Sequence, residues 1–201
     1  MPRPRPAYLL YEMLGFDRLN DRFLYVTDGG HFENLGLVEL FRRGCTRIYC
    51  FDASGDQDDT FFIIGEAVAI ARSDIGVEVH IEPERMRPDK EGGLSPTDHV
   101  LGWFRYANGV EGYMVLAKAA VTVEAPWDVR AFKERDKRFP NHSTADQLFN
   151  DQKFEGYRAL GRFTAWRAVT TLQAFDTTFH HERENRSLGD LVRDFEKKRL
   201  G

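Results

Sequence analysis

Asp28-Gly29-Gly30 closes the apolar run Phe23-Leu-Tyr-Val-Thr. Two consecutive glycines reach backbone conformations that other residues avoid and let a ligand come close. A carboxylate presented on such a turn can act as a general base, although the same spacing also suits an Asx-type turn or a helix cap. Downstream, Asp52-Ala-Ser-Gly-Asp-Gln-Asp-Asp59 sets four carboxylates within eight residues. A calcium loop would need Glu at its twelfth position, which Ile63 holds. The segment therefore reads as a solvated turn in which Asp58, Asp59 or Thr60 caps the next helix. Of the six histidines only His31 lies close to the candidate carboxylate, and none belongs to an H-E-x-x-H pattern. Cys45 and Cys50 have neither C-x-x-C spacing nor paired histidines, so they read as reduced core thiols. No metal and no cofactor is expected.

Residues of this kind need a frame to position them. Residues 22–27, rich in aromatic and β-branched side chains, read as a buried strand ending at the Asp28 turn. From Asn34, the residues Leu35, Leu37, Val38, Leu40 and Phe41 follow helical spacing, and Gly44 stands as a stop after Arg42 and Arg43. Residues 47–51 read as a second strand, 61–72 as a helix and 77–81 as a third strand. Two successive strand–helix–strand units predict an α/β fold with a parallel layered sheet over 22–82. Residues 85–97 are rich in Pro, Gly and charge and read as a loop. Residues 99–106 and 112–121, joined through Asn108-Gly109, read as a β-hairpin that extends this sheet. Helical patterns over 127–135, 144–150, 154–175 and 187–200 then cover it. Within the third and second of these, Phe154, Tyr157, Leu160 and Gly161 fall on one face, and Thr144 with Gln147, or Ser143 with Asp146, fits a capping box. The reading is one domain over 1–201, with the Pro/Arg-alternating residues 1–7 disordered.

Composition bounds the function classes. With 28 Lys plus Arg against 32 Asp plus Glu, the formal net charge of -4 gives no basic footprint for nucleic acid. The most apolar stretch, 112–123, is interrupted by Lys118 and is far shorter than the roughly 20 residues needed to span a bilayer. A cytoplasmic protein is expected.

The stretch Phe23-Leu-Tyr-Val-Thr-Asp28-Gly-Gly-His31-Phe-Glu-Asn34-Leu-Gly-Leu37, followed by Arg47-Ile-Tyr-Cys-Phe-Asp52-Ala-Ser, resembles the aspartate-containing half of the patatin-like and cytosolic phospholipase superfamily. There a D-G-G or D-S-G turn precedes an N-L helix and a second strand ending in F-D or D-A. Residues 139–161, with Phe139-Pro140-Asn-His142 and Phe154-Glu155-Gly-Tyr157, are similar to the C-terminal segment of large bacterial members. The resemblance implies hydrolysis of an acyl lipid or phospholipid by a Ser-Asp dyad. The serine of a G-x-S-x-G elbow attacks the acyl carbonyl, and an aspartate takes its proton and then activates water. Asp28 matches that aspartate, with Gly29, Gly30, His31 and Asn34 supporting the turn. Histidine has no required role in such a dyad.

The five serines, Ser54, Ser73, Ser95, Ser143 and Ser187, all lie outside any G-x-S-x-G pattern. The chain therefore reads as the C-terminal portion of a patatin-like hydrolase that carries the base without its nucleophile. Partners implied are an acyl lipid, a nucleophile-bearing N-terminal segment or chain, and peripheral contact with a membrane surface. The competing reading is a non-catalytic remnant kept for binding. One sheet edge is expected to expose apolar surface, and residues 139–161 are expected to pack near the Asp28 turn and form a pocket wall.

Overall fold

A mixed four-stranded sheet covered by helices on both faces organises the residues from Glu33 onward. The computed structural model describes residues 32–56, 59–88, 93–143 and 148–201, together with 10, 14, 16, 30 and 146. Residues Met1–Phe32 form a separate unit, in which the Leu14 amide donates to the Leu10 carbonyl at 3.1 Å. In chain order the second unit contains α1 (Leu37–Arg42), β1 (Arg47–Asp52), α2 (Phe62–Ile75), β2 (Glu78–His80), β3 (His99–Arg105), β4 (Glu111–Lys118), α3 (Trp127–Arg135), α4 (Asp151–Glu182) and α5 (Leu188–Leu200).

The strand order is β1-β4-β3-β2. β1 pairs with β4 in parallel, with Asp52 opposite Lys118, while β3 pairs antiparallel with both β4 and β2. Burial along each strand explains the order. β4 is buried from Gly112 to Lys118 and so needs neighbours on both sides and cover on both faces, whereas β1 alternates and the three-residue β2 is exposed at Glu78 and His80 and half-buried at Val79. Met114 and Leu116 of β4 point into one core with Leu37, Phe41, Ile64 and Phe104, beneath α1 and α2. Tyr113, Val115 and Ala117 point into the other, with Leu172, Phe175, Leu188 and Leu191 of α4 and α5. A third cluster, around Val121, Val129, Phe139 and Leu160, fixes α3 to the first half of α4. Gly112 is required by contact, because a Cβ there would meet the Phe104 ring at 2.5 Å.

The α/β class, the hairpin across Asn108-Gly109 and the helices α2, α3 and α5 match the sequence reading to within a few residues at their ends. The continuous parallel sheet over 22–82 does not match. Residues 22–27 lie outside the described residues, and β1 and β2 are not neighbours, because the β3–β4 hairpin enters between them instead of extending an edge. Local pairing through an Asn-Gly turn joins two strands to each other and leaves open where the pair inserts. The described residues of 144–150 are irregular, and α4 begins later, where the Asn150 side chain accepts the Lys153 amide at 2.8 Å. Asp146, the expected cap partner, instead holds Lys153 Nζ at 2.6 Å. The buried face of α4 is Gly156, Leu160, Thr164, Ala168, Leu172 and Phe175, so Phe154 and Gly161 point to solvent.

Candidate functional site

Asp28, Gly29 and His31 lie outside the described residues, as do residues 22–27; Gly30 and Asn34 are described and exposed. The segment from Glu33 to Val38, just after the turn, is tightly built. Glu33 is buried, and its carboxylate accepts the amides of Leu35 and, at 3.2 Å, Val38, satisfying donors that the start of α1 leaves unpaired. Gly36 precedes α1 at φ 68, a left-handed conformation that favours glycine, and Leu37 and Val38 enter the core. Glu33, Gly36 and Leu37 therefore build the entry to α1, each for a structural reason.

The parallel pairing of β1 with β4 brings two carboxyl ends together, which is where ligands bind in layered α/β sheets. Lys118, only 3% exposed, ends β4 there. Its Nζ stands 3.6 Å from both Asp52 Oδ2 and Asp56 Oδ2, without a hydrogen bond, and 5.9 Å from the Phe61 ring centre. Asp52 Oδ1 accepts the Ser54 amide at 2.8 Å and the Ser54 hydroxyl at 2.5 Å, an Asx turn that commits this serine to its own loop. Asp56 caps the entry to α2: Oδ1 accepts the amide and hydroxyl of Thr60, both at 2.9 Å, and Oδ2 accepts the Phe61 amide at 2.8 Å. Burial pushes the Asp56 carboxyl up, but these bonds and Lys118 outweigh it and hold the group below its ordinary range. The capping role expected of Asp58, Asp59 or Thr60 thus falls mainly to Asp56. Asp58 lies outside the described residues, and Thr60 contributes a 3.3 Å bond from the Phe62 amide. Among the described residues no group of three His, Cys, Asp or Glu could hold a metal ion.

Beside these strand ends opens a cleft of about 390 Å³, lined by Asp59, Ser95, Lys133, Lys137, Arg138 and Asn141 among others. Asp59 and Phe61 take φ of 48 and 56, unusual for non-glycine residues. Burial pushes the Asp59 carboxyl up and the Lys133 ammonium down. Lys133 Nζ donates to the carbonyls of Phe139 at 2.6 Å and Lys137 at 3.2 Å, fixing the turn that forms one wall. The same turn is held by His142, whose Nε2 meets Asp136 Oδ2 at 2.9 Å and whose Nδ1 meets the Tyr157 hydroxyl at 2.8 Å. Tyr157 also donates to the Pro140 carbonyl at 2.8 Å. Gly55 touches this wall, since a Cβ there would lie 3.0 Å from the His142 carbonyl oxygen. Pro140 and Asn141 line this cleft; whether residues 139–161 pack near the Asp28 turn, as expected, falls outside the described residues.

The remaining expected residues are structural where described. Cys50 is a buried free thiol pushed up to about 12 by burial and by nearby Asp52 and Glu33, and Cys45 is half-buried and free. Sequence reasoning missed the cleft, Lys133 and the role of Lys118. Lys118 had a signal, as the single charge interrupting the most apolar stretch of the chain. Residues 59, 95, 133 and 141 had none, because only the fold assembles them.

Comparison of the chain with protein-family models, with curated proteins and with solved structures found no match.

Proposed function

We propose that this chain is the aspartate-bearing C-terminal part of a serine–aspartate acyl-lipid hydrolase of the patatin-like type, acting at a membrane surface from the cytoplasm. The observation that carries the reading is the sequence run Asp28-Gly29-Gly30-His31-Phe-Glu33-Asn34-Leu-Gly36-Leu37, which leads into α1. Glu33 ties down the amides of Leu35 and Val38, Gly36 supplies the left-handed step and Leu37 enters the core. In this mechanism Asp28 takes the proton of a serine attacking an ester carbonyl. The tetrahedral intermediate expels the alcohol, and Asp28 then deprotonates the water that releases the fatty acid. The nucleophile belongs to a segment outside these 201 residues, because none of the five serines has elbow spacing and Ser54 is held by Asp52.

The test joins the reading-frame segment that carries a G-x-S-x-G pattern to this chain and follows hydrolysis of a p-nitrophenyl ester. Activity is expected in the joined protein, loss of about 1000-fold or more in Asp28→Asn, and substantial retention in His31→Ala. The 201-residue chain alone is expected to be inactive. Activity of that chain alone, or an Asp28→Asn protein as active as wild type, would refute the proposal. Finding no such pattern in the upstream frame would favour the non-catalytic binding module.

A further inference from the structure

We propose that the cleft at the carboxyl end of β1 and β4 binds a phosphate group. Three cations face it and differ in how they are held. Lys133 is buried and pinned by two backbone carbonyls, which leaves one of its three N–H donors uncommitted. Lys137 and Arg138 are exposed at the mouth, and neither side chain has an ion-pair or hydrogen-bond partner among the described residues. Ser95 is buried and held by its backbone, with its amide bonded to the Val121 carbonyl at 2.8 Å. Its hydroxyl has no partner among the described residues and is free to bond a ligand. Asn141 carries a buried carboxamide oxygen without a donor, which suits a P–OH group.

The balance of charge favours an anion of more than one negative charge. Among the described residues that line the cleft, one carboxyl, Asp59, stands against these three basic side chains. Asp52 and Asp56, on the neighbouring loop, are already engaged by Ser54, Thr60, Phe61 and Lys118. A tetrahedral phosphate offers acceptors in several directions at once, as a cleft with donors on floor, wall and mouth requires, and Arg138 can bind two of its oxygens side by side. The wall is preorganised: the Lys133 bonds, the Tyr157–Pro140 bond and the His142–Asp136 pair fix the turn from both sides, so little ordering is left to binding. This inference is independent of the hydrolase reading, since it uses neither Asp28 nor an external nucleophile.

Calorimetric titration of the 201-residue chain at low ionic strength tests it, with inorganic phosphate, dihexanoyl phosphatidic acid below its micelle concentration, and acetate as three separate probes. Saturable binding of phosphate or phosphatidic acid, but not of acetate, is expected. Lys137→Glu/Arg138→Glu is expected to weaken it by about tenfold or more, while Lys197→Glu on α5 leaves it unchanged. Both mouth residues are exposed, so circular dichroism should show an unchanged fold. Tighter binding of inorganic phosphate identifies a free phosphate or small monoester as the ligand, and tighter binding of phosphatidic acid identifies a lipid headgroup. No binding of either, equal binding of acetate, or a double variant that binds like wild type would overturn the proposal.

Discussion

Two buried networks in this molecule share a hydroxyl–imidazole–carboxylate order and differ in everything that would let that order do chemistry. At the start of β3, His99 Nδ1 meets Asp98 Oδ1 at 2.6 Å and Nε2 meets the Thr171 hydroxyl at 2.8 Å. Arg199 closes this network: its NH1 reaches the same Nε2 at 3.1 Å and its NH2 donates to the His99 carbonyl at 2.9 Å. A guanidinium only donates, so Nε2 is an acceptor and the ring proton sits on Nδ1, facing Asp98. Taking a proton from Thr171 would create an imidazolium against a guanidinium. Beside the cleft, Asp136, His142 and Tyr157 form the second network with no arginine on the ring, and Asp136 remains partly exposed. Tyr157 gives its one proton to the Pro140 carbonyl, so His142 satisfies both contacts only by donating from both ring nitrogens. The order of groups alone therefore identifies neither a catalytic triad nor a strut; what occupies the far nitrogen decides.

The largest expected effect separates the two by stability. Asp98 is fully buried between His99 and Arg167, whose Nε lies 3.3 Å from its Oδ1. Asp98→Ala strands the buried His99 without its carboxylate and removes the buried partner of Arg167, which keeps Glu124, and should cost about 3–5 kcal/mol in urea unfolding. Asp136→Ala removes a partly solvated partner and should cost about 1 kcal/mol. Equal losses would break the distinction between a closed and an open network.

Neither network was legible in the sequence, and the reason is the same as for the sheet order. Asp98 and His99 are adjacent, but Thr171 and Arg199 come from two helices more than 70 residues further along the chain that only the fold brings to β3. Local rules carried what local physics decides: the Asn108-Gly109 hairpin, and Gly44 just after the end of α1 at φ 71. They failed where tertiary competition decides. The Ser143–Asp146 capping pattern lost to Asn150, with Asp146 drawn to Lys153, while Thr144 and Gln147 lie outside the described residues. At the candidate site the sequence displayed Asp28 through its glycines. The cleft could not be seen, since its floor, walls and mouth come from four separate stretches of chain.

Acid sharpens the contrast at smaller amplitude. Burial pushes the Asp98 carboxyl up, but the His99 hydrogen bond and the Arg167 guanidinium outweigh it and hold the group below its ordinary value. Asp136 is lowered in the same way, with burial opposed by His142 and the Arg138 amide. A carboxyl lowered on folding contributes stability that is complete above the unfolded value of about 3.9 and is lost as pH falls through the folded value. Melting temperatures should therefore fall as pH drops from about 5 toward about 2, and Asp98→Asn should flatten that fall more than Asp136→Asn, whose partner is screened by solvent. An equal flattening by the two variants would show that burial does not distinguish them.

The smallest expected effect is at Thr171, and it bears on whether the closed network could serve as a nucleophile site. Thr171→Val keeps the shape of the side chain and removes one hydrogen bond, a loss of about 0.5–1.5 kcal/mol. His99 would still hold Asp98 and accept from Arg199, so the rest of the network should persist. A threonine activated by His99 would react with a fluorophosphonate probe, and the probe would then be found on Thr171 by peptide mass spectrometry. No labelling is expected, because the only base within reach has its lone pair turned to Arg199 and the ring it belongs to is buried. Labelling of Thr171 that disappears in His99→Gln would reverse the assignment and make the β3 network, rather than the Asp28 turn, the place to look for ester chemistry.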